Sequence, residues 1–286
     1  MAKIPSKVQT RLVAGIKKYQ PILRDAKQRG INESDTVFNI RDMLWEIFGY
    51  EKNSEITSEV EICGTYCDLA TRIDGKIQIL IEAKAINIQL KDNHVTQAVD
   101  YACKQPVNWV LLTNGITWQV HKVIFGKPVE HELILEIDFL ALDHHEQADL
   151  EKLFLLTKES WPKSALSDYC EQKEALSKYS IAAVILSDAV LNAIRHELKQ
   201  ISPDVKIDFE RMRSVLEKEV LNPEVVAGEK AEEAQKHLAK VTNHALKTKP
   251  VKESDDEIPS APVPVQSASP SSAPANATLN QPPAGP

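Results

Sequence analysis

Apolar residues Val8, Leu12, Ile16, Tyr19 and Leu23 recur at helical spacing and predict a helix over 5–29, with Gly30 as its stop. A second helix is predicted over 34–48 on Val37, Ile40, Leu44, Ile47 and Phe48, closed by Gly49. The pattern then shortens to strand signals over 60–73 and 77–83, followed by a helix over 93–104. Strands over 109–113 and 116–123 flank Asn114-Gly115, a strong hairpin signal, and a further strand is expected over 132–137. Residues 139–248 read as mainly helical, with a break near Ser202-Pro203 and a fresh start at Asp208. This order predicts an α/β fold: a mixed β-sheet flanked by helices, followed by a mainly helical C-terminal region.

From Pro250 onward the chain holds nine of its sixteen prolines, mixed with Ser, Ala and the acidic Asp255, Asp256 and Glu257. Such a segment has little apolar material to offset ordering entropy and is expected to be disordered. Four segments follow: a basic N-terminal helix (1–32), an α/β core (33–138), a helical region (139–249) and a disordered tail (250–286). At 43% hydrophobic and 26% charged residues the balance is that of a globular protein. The apolar run at 181–186 is cut short by Ser187 and Asp188, so no membrane span is expected. The charged N-terminus (Lys3, Lys7, Arg11) lacks the apolar run of a secretory signal, so none is expected, and four scattered cysteines make no disulfide framework. A reduced, cytoplasmic protein is expected. The helical region, which carries no recognisable chemistry, is where protein partners or self-association are expected.

Charge is unevenly spread. Residues 1–30 sum to +7 and residues 31–142 to −8, within a net charge of −7. Lys7 and Arg11 on the first helix are candidates to hold backbone phosphates; alternatively that helix packs against the helical region.

Chemistry enters with strand parity. In the second strand Ile77, Ile79, Ile81 and Ala83 make one apolar face, leaving Gln78, Leu80, Glu82 and Lys84 opposite. In the first, Cys67, Leu69, Thr71 and Ile73 leave Tyr66, Asp68, Ala70 and Arg72 opposite. Matching the apolar faces requires an odd loop, for which a three-residue turn Ile73-Asp74-Gly75 is expected. Asp68, Glu82 and Lys84 then share a face on neighbouring strands. Two carboxylates so close repel unless a cation intervenes, and hard oxygen donors suit Mg²⁺ or Mn²⁺. The bland alternative is that all three decorate the wet side of a hairpin.

Asp68, then Glu82-Ala83-Lys84 closing a hydrophobic strand, resembles the signature of the PD-(D/E)XK nuclease superfamily, with Cys67 in place of the named proline. More narrowly, residues 33–137 resemble the N-terminal nuclease domain of type I restriction enzyme R subunits. Five ordered words carry this: Phe48-Gly49-Tyr50, Gly64-Thr65-Tyr66-Cys67-Asp68, Ile81-Glu82-Ala83-Lys84, Gln97-x₃-Tyr101 and Leu112-Thr113-Asn114-Gly115-x₂-Trp118. The resemblance implies a restriction-endonuclease-like core and phosphodiester hydrolysis, with DNA as the expected partner. It further implies that Asp68 and Glu82 ligate Mg²⁺ or Mn²⁺ and that Lys84 is the catalytic lysine. An acid on the preceding helix usually joins them; Asp35 is the first choice by spacing and Glu33 the second. Gln97 and Tyr101 match the family's Q-x₃-Y element, and His94 and Lys104 extend that stripe toward possible phosphate contacts.

The chain has no G-x₄-G-K-[ST] loop, so neither ATP use nor the translocation of full R subunits is expected. Cys63 and Cys67 read as strand packing, and His144-His145 as a solvated helix start. The non-catalytic alternative is a nucleic-acid-binding or protein-interaction module that keeps the nuclease fold.

Overall fold

A computed structural model describes residues 3–247 apart from Cys63 and Pro106; the expected tail at 250–286 lies outside the described residues. Two helices lead, α1 (Ser6–Arg29) and α2 (Glu33–Glu46). Three strands follow, β1 (Ile56–Ile62), β2 (Thr65–Ile73) and β3 (Lys76–Ala83), then α3 (Asp92–Lys104). The sheet is completed by β4 (Trp109–Thr113), β5 (Thr117–Ile124) and β6 (Glu130–Asp138). The C-terminal region contributes α4 (Gln147–Phe154), α5 (Ala165–Ala175), α6 (Lys178–Ile185) and α7 (Asp188–Ile201). It ends with α8 (Phe209–Val215), α9 (Pro223–Val226) and α10 (Glu229–Lys247).

The described strands form one sheet in sequential order, antiparallel except for β3 and β4. A parallel pair needs a crossover, and α3 supplies it. One sheet face, with Leu69, Ile79, Ile81, Ala83, Leu111 and Trp118, packs in the same core as α1 and α2. The other, with Ala70, Leu80, Val110 and Leu112, packs against Val95, Ala98, Val99 and Ala102 of α3. The face that the hairpin pattern leaves polar is therefore covered, and Leu80 is fully buried on it.

Several local expectations are corrected. The strand expected over 60–73 is two strands, because the chain reverses around Gly64 (φ 78°) and pairs Ile62 with Thr65. The three-residue turn after β2 is a two-residue turn, Asp74-Gly75, with φ of 50° and 76°. Positive φ at both positions is the hairpin-compatible geometry that matches strand twist. The odd residue required by parity is supplied by a bulge instead: Arg72 pairs with Ile77 and Thr71 with Ile79, leaving Gln78 over. Ile77 consequently lies against the α3 side while Ile79 and Ile81 stay in the α1–α2 core.

The basic helix at the N-terminus is a core element. Val8, Leu12, Ile16, Tyr19, Leu23 and Ala26 are buried, and Gly15 lets Ile47 of the α2 end approach closely. The fresh start at Asp208 is met, its side chain accepting the Arg211 N–H. The first compact unit runs to Leu238; the described part of the second, residues 239–247, is helical. No helix among the described residues is long and apolar enough to cross a membrane.

Candidate active site

Glu82 is the last residue but one of β3, on the face that α3 covers, and is only 1% exposed. Its Oε1 accepts a hydrogen bond from Lys84 Nζ at 2.5 Å, whereas Oε2 is buried without a hydrogen-bond partner. A carboxylate oxygen stripped of water and unpaired is costly. Burial accordingly pushes the Glu82 pKa up to about 7, with Asp68 and Glu33 adding to the rise and Lys84 opposing it. A wet hairpin face has no such residue.

Asp68 stands on β2, one step beyond the Leu69–Ile81 pair. Its Oδ2 accepts the backbone N–H of Ala83 at 2.8 Å, so a side chain serves that N–H just past the end of the ladder. Burial raises its pKa against that hydrogen bond and the charge of Lys84, and Glu33 raises it further. Burial works against the Lys84 ammonium, but its bond to Glu82 and the nearby negative charges prevail and hold its pKa above the ordinary value. Lys84 is thus kept protonated, a donor and a positive charge rather than a base. Its backbone is fixed as well, its N–H donating to Thr113 of β4 at 2.9 Å.

Helix α3 closes the site from above the sheet. Gln97 Nε2 donates to the Tyr101 hydroxyl at 3.0 Å. Tyr101, expected on an open polar stripe, is 6% exposed and belongs to the α3-side core, because α3 lies directly over β3 and β4. Burial raises its pKa, with Glu82, Cys67 and Asp68 raising it further against the Gln97 hydrogen bond. Asp68, Glu82, Lys84 and Tyr101 therefore form one electrostatic group, with Gln97 bonded to its edge.

The other candidates have surroundings of their own. His94 accepts the Lys91 N–H through Nδ1 at 3.3 Å and serves the start of α3. Lys104 lies exposed in the last turn of α3, and Lys7 exposed in the first turn of α1. Arg11 is spent inside the fold: its guanidinium makes bonds of 2.8 and 2.6 Å to Glu159 and another to the Ile47 carbonyl. Of the two candidate acids in the first turn of α2, the one whose charge acts on Asp68, Glu82 and Lys84 is Glu33. The helical wheel explains this. Thr36, one turn after Glu33, is buried and accepts the Ile86 N–H, whereas Asp35 sits some 200° from Glu33 around the helix; both acids are exposed. The helical spacing of Glu33 to the buried Thr36 and Ile40 is the signal the sequence offers.

The remaining sequence words are scaffold. Gly49 turns at φ 83°, Tyr50 donates to the Leu156 carbonyl, and Phe48 lies 5.2 Å from the Trp118 ring. Asn114 accepts the Ile116 and Thr117 N–H groups and donates to the Ile88 carbonyl, pinning the segment that follows Lys84.

Oxygen donors fit a hard divalent cation, and the unpartnered Glu82 Oε2 is the atom such an ion would satisfy. Asp68, Glu82 and Glu33 do not all come within 4.8 Å of one another. Asp143, His144 and His145 do gather to that distance in the β6–α4 connector, but the Asp143 carboxylate there already accepts the His145 N–H.

Residues 40–137 match the family model of the type I restriction enzyme R protein N terminus, the family the sequence resembles. The matched segment contains Asp68, Glu82, Lys84, Gln97 and Tyr101 and leaves out α1, the start of α2 and the helical region. Comparison with curated proteins gives no match, and neither does comparison with solved structures.

Proposed function

We propose that this protein is a metal-dependent nuclease that hydrolyses phosphodiester bonds of DNA and serves in restriction or defence against foreign DNA. The observation that carries this reading is the buried, unpartnered oxygen of Glu82 beside Asp68 and the protonated Lys84. The family match over the same residues supports it. Asp68 and Glu82 would hold Mg²⁺ or Mn²⁺, with Glu33, whose charge acts on both, rather than Asp35 as the assisting acid on α2. Bound there, the ion would neutralise charge on a phosphate oxygen and acidify water. Lys84 keeps its proton and presents an ammonium group to the phosphate or to the attacking water. Tyr101, held by Gln97, keeps the inner wall of the site dry and contributes a hydroxyl beside Glu82.

To test this, purified protein is incubated with DNA and Mg²⁺ or Mn²⁺. Cleavage that chelation abolishes is expected, falling about a hundredfold or more in Glu82→Gln and in Lys84→Met. Undiminished cleavage in both variants would refute the assignment. The second reading, a non-catalytic binding module, is favoured by one observation, the charge of −8 across residues 31–142. DNA binding without turnover under any divalent cation would select it.

A further inference from the structure

His121 of β5 is 4% exposed, and both of its ring nitrogens are buried without a hydrogen-bond partner. Nothing proposed for Asp68 and Glu82 uses it. A neutral imidazole carries one donor and one acceptor, so leaving both unmet away from water is costly. The ladder is irregular at this point. Val120 pairs with Leu135 and His121 with Leu133, leaving Ile134 over. A bulge of this kind re-aims side chains. His131 of β6 pairs with Val123, two residues further along β5, and its ring meets that of His121 edge to face. The ring centroids are 5.3 Å apart, with the planes at 75°. Asp92, in the first turn of α3, is the acid whose charge acts on His121, and it is exposed.

Two imidazoles in contact, one of them satisfied by nothing else, are a ligand pair for a metal. Imidazole suits borderline divalent transition metals, Zn²⁺ among them, and not the hard ions that oxygen donors take. The spacing agrees. With a Zn–N bond of about 2.1 Å and tetrahedral angles, two rings on one ion have centres roughly 5 Å apart. We infer that His121 and His131, completed by Asp92 and water, form a zinc site that clips the β6 edge and the start of α3 to β5. The three ligand atoms do not all come within 4.8 Å of one another, and the exposed Asp92 side chain closes the set when the ion enters. The role of the ion is structural. Helix α3 carries Gln97 and Tyr101, so the clip fixes the helix that walls the carboxylate site. The zinc site stands whether or not that site is a nuclease.

The test is a Zn²⁺ titration of the full-length chain against a chromophoric chelator, in excess Mg²⁺ to occupy oxygen-donor sites. The exposed His144 and His145 offer zinc a second pair of rings, so the reference chain carries His144→Ala and His145→Ala. One Zn²⁺ per reference chain is expected, together with a higher midpoint of thermal unfolding. Adding His131→Ala is expected to weaken that binding by about tenfold or more, the loss that even an outer partner of a metal site causes, and to abolish the thermal shift. Adding Asp92→Asn, an exposed change that keeps the fold, is expected to weaken it several-fold. Nitrogen NMR of the histidine rings is expected to show the His121 and His131 signals moving with zinc. Absence of stoichiometric Zn²⁺ binding to the reference chain would overturn the inference. So would an affinity unchanged in folded His131→Ala, or unchanged in Asp92→Asn, which decides the matter alone if circular dichroism shows His131→Ala unfolded. Cleavage of DNA with Mg²⁺ and no zinc site would leave the nuclease reading standing; zinc bound as described and no cleavage would do the reverse.

Discussion

Glu82 couples cation binding to pH. Its carboxyl is raised from an ordinary value of 4.5 to about 7, so between those values the folded chain holds a proton that the unfolded chain has lost. The contribution to stability is present in full below about pH 4.5 and is lost as pH rises through about 7. A cation that ligates Glu82 must displace that proton. Mn²⁺ affinity is therefore expected to strengthen with pH, by up to about tenfold per unit, and to level off above about 7. Calorimetry in buffers of different ionisation enthalpy checks it, through proton release below pH 7 that disappears in Glu82→Gln. An affinity flat from pH 5 to 8 would contradict the role of Glu82. The acids of α2 allow a sharper comparison. Glu33→Gln is expected to weaken Mn²⁺ binding several-fold, while Asp35→Asn leaves it within about twofold, since only Glu33 acts on the pair. The sequence carries Asp68, Glu82 and Lys84 legibly, because the bulge at Gln78 falls before the end of β3 and leaves the last residues of that strand in regular alternation. It carries the α2 acid poorly, because two acids two residues apart differ by a helix rotation that only the packing of Thr36 and Ile40 fixes.

Among elements, α1 carries a basic face over an apolar stripe. The stripe seats it in the core beside α2 and α4, the alternative expected of this helix, while Lys7 stays exposed. Arg11 there ties three pieces together: α1, the end of α2 through Ile47, and the turn carrying Glu159. Arg11→Ala is expected to lower unfolding stability by about 2 kcal/mol, discounted for the partial exposure of the ion pair, and to leave DNA affinity unchanged. Urea titration and a binding isotherm on the same sample decide it; weaker DNA binding at unchanged stability would return Arg11 to phosphate contact. The β2–β3 hairpin shows the converse. The sequence reading finds the correct parity from a wrong turn, because Asp74-Gly75 is shorter by one residue than the loop expected and the Gln78 bulge restores the count. The faces of Ile79, Ile81 and Glu82 are insensitive to how that residue is distributed; those of Ile77, inside the irregular stretch, and of Cys67 are not. Cys67, expected on the face of Leu69, packs with Val60 and Ala70 on the α3 side, next to the irregular Glu59 (φ 50°). Likewise Gly64 splits one strand signal into two, since apolar runs do not reveal a reversal that one positive-φ residue permits.

For the whole molecule, several cations are paired with acids. Arg11 faces Glu159, Lys18 faces Glu46, Lys52 faces Asp42, Lys158 faces Glu55 and Lys84 faces Glu82. With a net charge of −7 and −8 concentrated over residues 31–142, long-range attraction to a polyanion is weak. On the nuclease reading, binding then rests on a few close contacts: the site lysine and an ion between the carboxylates. Such a mode releases few counterions, so the slope of log affinity against log salt is expected to be shallow, about −2 to −3, corresponding to roughly two or three phosphates. Added Ca²⁺ or Mg²⁺ is expected to strengthen binding, since it reverses the sign of the local field at Asp68, Glu82 and Glu33, and Glu82→Gln is expected to blunt that gain. A titration over 50–200 mM salt, with and without divalent cation, reads both. A slope of about −6 or steeper, with no response to the cation, would mean that a basic surface rather than this site holds the nucleic acid.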